Sequence, residues 1–89
     1  MPTQNINITK TWTQLATSAD ADVLISTTFP YSIEYATTAA NAAPTVIGHT
    51  LSNREALTRS VIGTGYIWAR IAADVDTRVI SSVQMVVTK

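Results

Sequence analysis

Gly65-Tyr66-Ile67-Trp68-Ala69-Arg70-Ile71-Ala72-Ala73, followed by Val79-Ile80-Ser81-Ser82-Val83-Gln84-Met85-Val86-Val87, holds the densest strand signal in the chain. Aromatic and β-branched residues dominate both runs, Asp74-Val75-Asp76-Thr77 breaks them apart, and no helix-forming run of Glu, Lys or Leu intervenes. They read as two adjacent strands. In the first, Ile67, Ala69 and Ile71 share one face and Tyr66, Trp68 and Arg70 the other, because side chains alternate across a strand. The apolar face suits a core and the aromatic face suits contact with a neighbouring subunit or partner. In the second run the odd positions, Val79, Ser81, Val83, Met85 and Val87, form the more apolar face and are the expected core side.

Working back to the start, Asn5 to Thr9 alternates polar and apolar with Ile6 and Ile8 on one side, a short first strand. Residues 1–10 can also stand as an extended N-terminal arm. Trp12 and Leu15 follow, with Trp12 expected in the core. Ser18-Ala19-Asp20-Ala21-Asp22 supplies turn chemistry, since Ser and Asp side chains compete with a ladder for backbone groups. Val23 to Phe29 reads as a strand, and Pro30 marks its end or an edge. Tyr31-Ser32-Ile33-Glu34-Tyr35-Ala36 alternates, with Tyr31, Ile33 and Tyr35 on one face, and is expected to pair with the run before it.

Thr37 to Pro44 is a run of small residues without a hydrophobic period, and reads as a surface loop. Thr45 to Leu51 resumes strand character. Ser52-Asn53-Arg54-Glu55 fits a helix capping box but also a tight turn. Residues 52–59 therefore read as a short helix or as strand and turn. The second is favoured, because so short a helix needs tertiary support. Gly63-Thr64-Gly65 closes the segment as a turn. Six to eight short strands with turns between them imply an all-β fold, an antiparallel β-sandwich or small barrel, in a single domain over residues 1–89.

Composition narrows the function classes. A chain of 89 residues has a small core of marginal stability, which oligomerisation can reinforce. Without cysteine it has neither disulfides nor a thiolate zinc site. Six basic and six acidic residues cancel and are scattered, so the electrostatic footprint of a nucleic-acid or anionic-membrane binder is missing. No apolar run approaches the ~18 residues of a membrane-spanning helix, and no secretory signal is visible. The sequon at Asn7-Ile8-Thr9 therefore carries little weight. Only 13% of the residues are charged, and a surface so poor in charge is buried against neighbours at small desolvation cost.

Candidate chemistry is thin. His49 is the sole histidine and no Gly-x-Ser-x-Gly elbow accompanies it, so it reads as a polar strand or loop residue. Asp20/Asp22 and Asp74/Asp76 could offer oxygen ligands to calcium, and serve equally well as turn residues. Gly63-Thr64-Gly65 lacks the remainder of either phosphate-binding fingerprint. Neither catalysis, a metal nor a cofactor is expected. Tyr31, Tyr35, Tyr66 and Trp68 could form a platform for sugar rings, although core or subunit packing is the commoner fate of such residues. The candidate partner or subunit contacts are Tyr66, Trp68, Arg70, Tyr31 and Tyr35.

Trp12 followed by Leu15-Ala16, an acidic turn into Val23-Leu24-Ile25, Ile33-Glu34-Tyr35, an Ala-rich loop before Gly48-His49-Thr50-Leu51, a turn with Glu55, and Tyr66-Ile67-Trp68-Ala69-Arg70 leading into a Val-rich strand make a pattern. Over Thr11 to Val87 it resembles the small β-sandwich modules of tailed-bacteriophage virions, found as head-decoration, head-fibre and tail-fibre proteins. Asn53-Arg54 departs from that pattern, where a Pro-Gly turn is common. The resemblance implies a non-enzymatic virion structural protein, made in the host cytoplasm, that forms homo-oligomers, trimers above all, and docks on capsid or tail proteins. The alternative it implies is a tail-fibre module that binds host-surface glycans.

Overall fold

The computed structural model describes residues 2–27, 33–51, 56–72 and 82–89, and nearly all regular structure among them is β. The strands are β1 (Thr3–Ile8), β2 (Thr13–Ala16), β3 (Leu24–Ser26), β4 (Ile33–Thr38), β5 (His49–Leu51), β6 (Ala56–Thr58), β7 (Tyr66–Ile71) and β8 (Val83–Thr88), with one helical turn, α1 (Arg59–Ile62), between β6 and β7. They form two four-stranded antiparallel sheets. Sheet A runs β1-β8-β3-β6 and sheet B runs β2-β7-β4-β5. The fold is thus an all-β sandwich with the expected number of strands.

The alternation of apolar side chains builds its core. Sheet B contributes Leu15, Ile33, Leu51, Ile67, Ala69 and Ile71, and sheet A contributes Ile8, Ile25, Met85 and Val87, all fully buried. Burying each large aliphatic side chain contributes roughly 1.5–3 kcal/mol, which is what holds two such short-stranded sheets together. The inward faces expected for Ile6 and Ile8, for Ile67, Ala69 and Ile71, and for Val83, Met85 and Val87 are the observed ones. Val79 and Ser81 lie outside the described residues.

Strand pairing departs from expectation in a consistent way. β7 and β8 are not adjacent: β7 pairs with β2 and β4, whereas β8 lies in the other sheet between β1 and β3. Likewise β3 does not pair with β4. It pairs with β6 and β8, and β4 pairs with β5 and β7. The chain changes sheet at every connection but β4 to β5, so strands that neighbour in sequence face each other across the core. Residues 3–8 are a full edge strand, paired residue for residue with β8, instead of a free arm.

Other boundaries shift. Only His49–Leu51 of the expected 45–51 strand is regular, and Val46 and Ile47 are exposed. Residues 52–55 lie outside the described set, but 56–58 is strand, as favoured, and a helical turn not expected from the sequence follows it. Gly63 and Gly65, with φ of 98° and 100°, make the turn between α1 and β7.

Candidate functional site

β7 lies at the middle of sheet B, and its outward side chains, Tyr66, Trp68 and Arg70, are all half-buried. Register sets their neighbours. Glu34 of β4 stands opposite Arg70, Ala36 opposite Trp68 and Thr38 opposite Tyr66, while Gln14 of β2 flanks Trp68 on the other side. The Arg70 Nε–H donates to Glu34 Oε1 at 2.6 Å. Glu34 is only 8% exposed, so this is a charge-assisted bond shielded from water on one side.

Trp12, just ahead of β2, completes the layer. The Arg70 guanidinium sits 4.3 Å from the centroid of its ring, a cation–π stack. The far edge of the indole reaches Gly48, where an added Cβ would meet Trp12 Cη2 at 2.9 Å and the Tyr35 carbonyl at 2.5 Å. Trp12 is therefore half-buried on the outer face of sheet B and does not enter the core. The physical reason is the Arg70 guanidinium, which Glu34 holds on the outer face: the ring stacks on it and covers the sheet, and Leu15 and Ala16 take the buried positions instead.

Trp68 is fixed by its polar edge. Its Nε1–H donates to Thr38 Oγ1 at 2.9 Å, and that hydroxyl donates onward to the Ala40 carbonyl at 2.7 Å. Beside it, Gln14 Nε2 donates to Asn41 Oδ1 at 2.6 Å. The outer face thus gathers Trp12, Tyr66, Trp68 and Arg70, with Glu34 beside Arg70 and the Gln14–Asn41 amides next to Trp68.

The expected contact residues divide. Tyr66, Trp68 and Arg70 share this outer face. Tyr35 does not join them: it lies on the inner face of β4 against the core, its ring centroid 5.4 Å from that of His49. Tyr31 lies outside the described residues. Tyr35 and His49 instead line a hollow of about 150 Å³ at one end of the sandwich, with Val46, Ile47, Gly48 and Ile62. Sequence reading missed Trp12 and Glu34 as members of the outer face, since their partner, Arg70, is distant in the chain.

The remaining candidates are quieter. Asp20 accepts the Thr17 N–H at 2.9 Å and the Thr17 hydroxyl at 3.3 Å, and lies 3.8 Å from Lys89 Nζ. The backbone hydrogen bond from Thr17, aided by the Lys89 and Arg59 charges, holds its carboxyl below the ordinary value of 3.8 against the opposing effect of desolvation. Its role is to close the turn after β2. Among the described residues no three His, Cys, Asp or Glu side chains gather as a metal site would need, and Asp74 and Asp76 are not among them. No helix among them is long and apolar enough to cross a membrane. Compared with protein-family models, with curated proteins and with solved structures, the chain matches none.

Proposed function

We propose that this protein is a non-enzymatic structural component of a bacteriophage virion, decorating the capsid or forming part of the tail by packing against copies of itself and neighbouring virion proteins. The observation that carries this reading is the outer face of sheet B. Trp, Tyr and Arg are the residues that dominate contact energies between proteins, and here Trp12, Tyr66, Trp68 and Arg70 stand on one face of sheet B, each half-buried. The side chains of Trp12, Trp68 and Arg70 are already held by Thr38, Glu34 and one another, so these three have less rotamer entropy to lose on docking. A chain with few charges adds little desolvation cost. The resemblance of residues 11–87 to phage β-sandwich modules supplies the setting, including the homotrimer as the proposed association.

Mass spectrometry of purified particles tests the setting: the protein is expected in stoichiometric amount, and particles made without it should be fragile or lack a projection. Trp68→Ala tests the surface. The expected result is a folded protein that no longer docks on particles. Retained docking with loss of binding on a glycan array would transfer the function to host-surface recognition. Absence from particles would overturn the virion reading altogether.

A further inference from the structure

The four sheet edges are not alike. β5 and β6 are three residues long, and β2 is four residues long with a register shift between Gln14 and Ala16. Short length and bulges are the ordinary means by which proteins keep an edge from pairing with another chain. β1 uses none of them. It runs for six residues, Thr3-Gln4-Asn5-Ile6-Asn7-Ile8, in unbroken register with β8 and without a charge or an internal proline.

The direction of its free main-chain groups follows from one hydrogen bond. In an antiparallel ladder, pairs that exchange main-chain bonds alternate with pairs that do not. The Lys89 N–H donates to the Pro2 carbonyl at 3.3 Å, and these two residues extend the register by one step beyond Thr3 and Thr88. Pro2 is therefore at a bonded position, and so are Gln4, Ile6 and Ile8. The N–H and C=O groups of Thr3, Asn5 and Asn7 point away from β8 along the free edge. All three residues are exposed, and among the described strands β1 pairs with β8 alone.

We infer that β1 is a homotypic docking edge, on which the β1 of a second copy pairs antiparallel about a two-fold axis through Asn5. This rests on the self-association in the function proposed above, and adds a two-fold contact to the three-fold one. In this register Thr3 faces the second copy's Asn7, Asn5 faces its own copy and Asn7 faces Thr3, so each of the three residues both donates and accepts a main-chain bond. The side chains agree. A two-fold sets every residue of an edge against the same short sequence, so a charged edge repels itself; this one has no charge to oppose. Ile6, half-buried in one copy, gains the second copy's Gln4 as its neighbour on the core side. The two four-stranded sheets join into one. Another occupant would need an extended segment of matching polarity, which no other described edge of this chain supplies at this length.

Asn5→Pro removes the central donor and Asn5→Lys sets two cations face to face. Neither touches the ladder to β8, because an edge position whose N–H faces solvent tolerates proline. The measurement is solution mass against concentration for the whole protein, with circular dichroism as the check of fold and amide exchange as the direct probe. Wild-type protein should show a two-fold association step in which the Thr3, Asn5 and Asn7 amides slow with concentration. Each variant should weaken that step by at least about tenfold. If the proline variant fails to fold, the lysine variant alone decides. Association indifferent to both substitutions, or with those three amides unprotected, overturns the edge pairing and leaves docking through the aromatic face standing. A protein that stays at the 9.6 kDa monomer mass at every concentration overturns both the edge pairing and the self-association beneath it.

Discussion

The Arg59 guanidinium donates from Nε to the Asp20 carbonyl at 2.9 Å, from Nη2 to the Thr17 carbonyl at 2.7 Å, and from Nη1 to the carbonyls of Gly63 and Gly65 at 3.1 and 2.8 Å. It buckles the turn after β2 to the turn before β7 and satisfies carbonyls that regular structure leaves over. Lysine cannot reproduce this fork, having a single nitrogen. Arg59→Lys should therefore destabilise the protein by about 2 kcal/mol in chemical denaturation, although the charge is kept. A loss below roughly 0.5 kcal/mol, the range of ordinary surface substitutions, would mean that the buckle contributes nothing. None of this was legible in the sequence, where Arg59 is one of a few scattered basic residues. Arg70 was legible as an outward residue by alternation. Its stack on Trp12 was not, because a Trp beside a strand reads as core until the cation that claims it is located.

At the scale of elements, β7 was the most readable part of the chain, since strict alternation over six residues leaves one choice of inner face. Its entry is fixed by two glycines of different character. Gly65 has φ of 100°, and a Cβ there would lie 2.5 Å from the Thr38 carbonyl; Gly63 has φ of 98° but open space around it. Gly63→Ala should cost about 1 kcal/mol, from backbone strain alone. Gly65→Ala should cost visibly more and shift the Trp68 fluorescence, because Thr38 carries the hydroxyl that holds the indole. Equal costs at the two sites would show that the clash is relieved without moving β4. The helical turn α1 escaped sequence reading for a simple reason. Four residues are too few to display a period, and the support comes from the Gly63 N–H bonding back to the Arg59 carbonyl and from the Arg59 side chain.

For the whole molecule, the sandwich class followed from strand count and turn spacing, but the pairing did not. Neighbours in sequence usually neighbour in a sheet. Here Val23–Phe29 and Tyr31–Ala36 read as a pair because they are consecutive runs separated by Pro30 alone, yet β3 and β4 belong to opposite layers. The ionic balance of the molecule also makes a prediction. Asp20 titrates below its unfolded value of 3.8, so its stabilising contribution is complete above that value and is lost as pH falls through the folded pKa. Unfolding free energy should decline below about pH 4, and Asp20→Asn, which retains an acceptor for the Thr17 N–H, should flatten that decline. An identical acid limb in the variant would assign it to other carboxylates.

β8 lies between β1 and β3, which fixes when sheet A can exist. Until residues 83–88 are available, β1 has no partner and β3 has only the three residues of β6. Sheet B has no such dependence, for its strands all lie before residue 72. On a ribosome adding about 5–20 residues per second, every strand of sheet B is synthesised before β8, so sheet A is the one that waits for the later strand. The closing step joins segments some 80 residues apart, a long-range event of the kind that places β-proteins in the millisecond-to-second range. Until then the uncharged β1 is a strand with no partner in its own sheet.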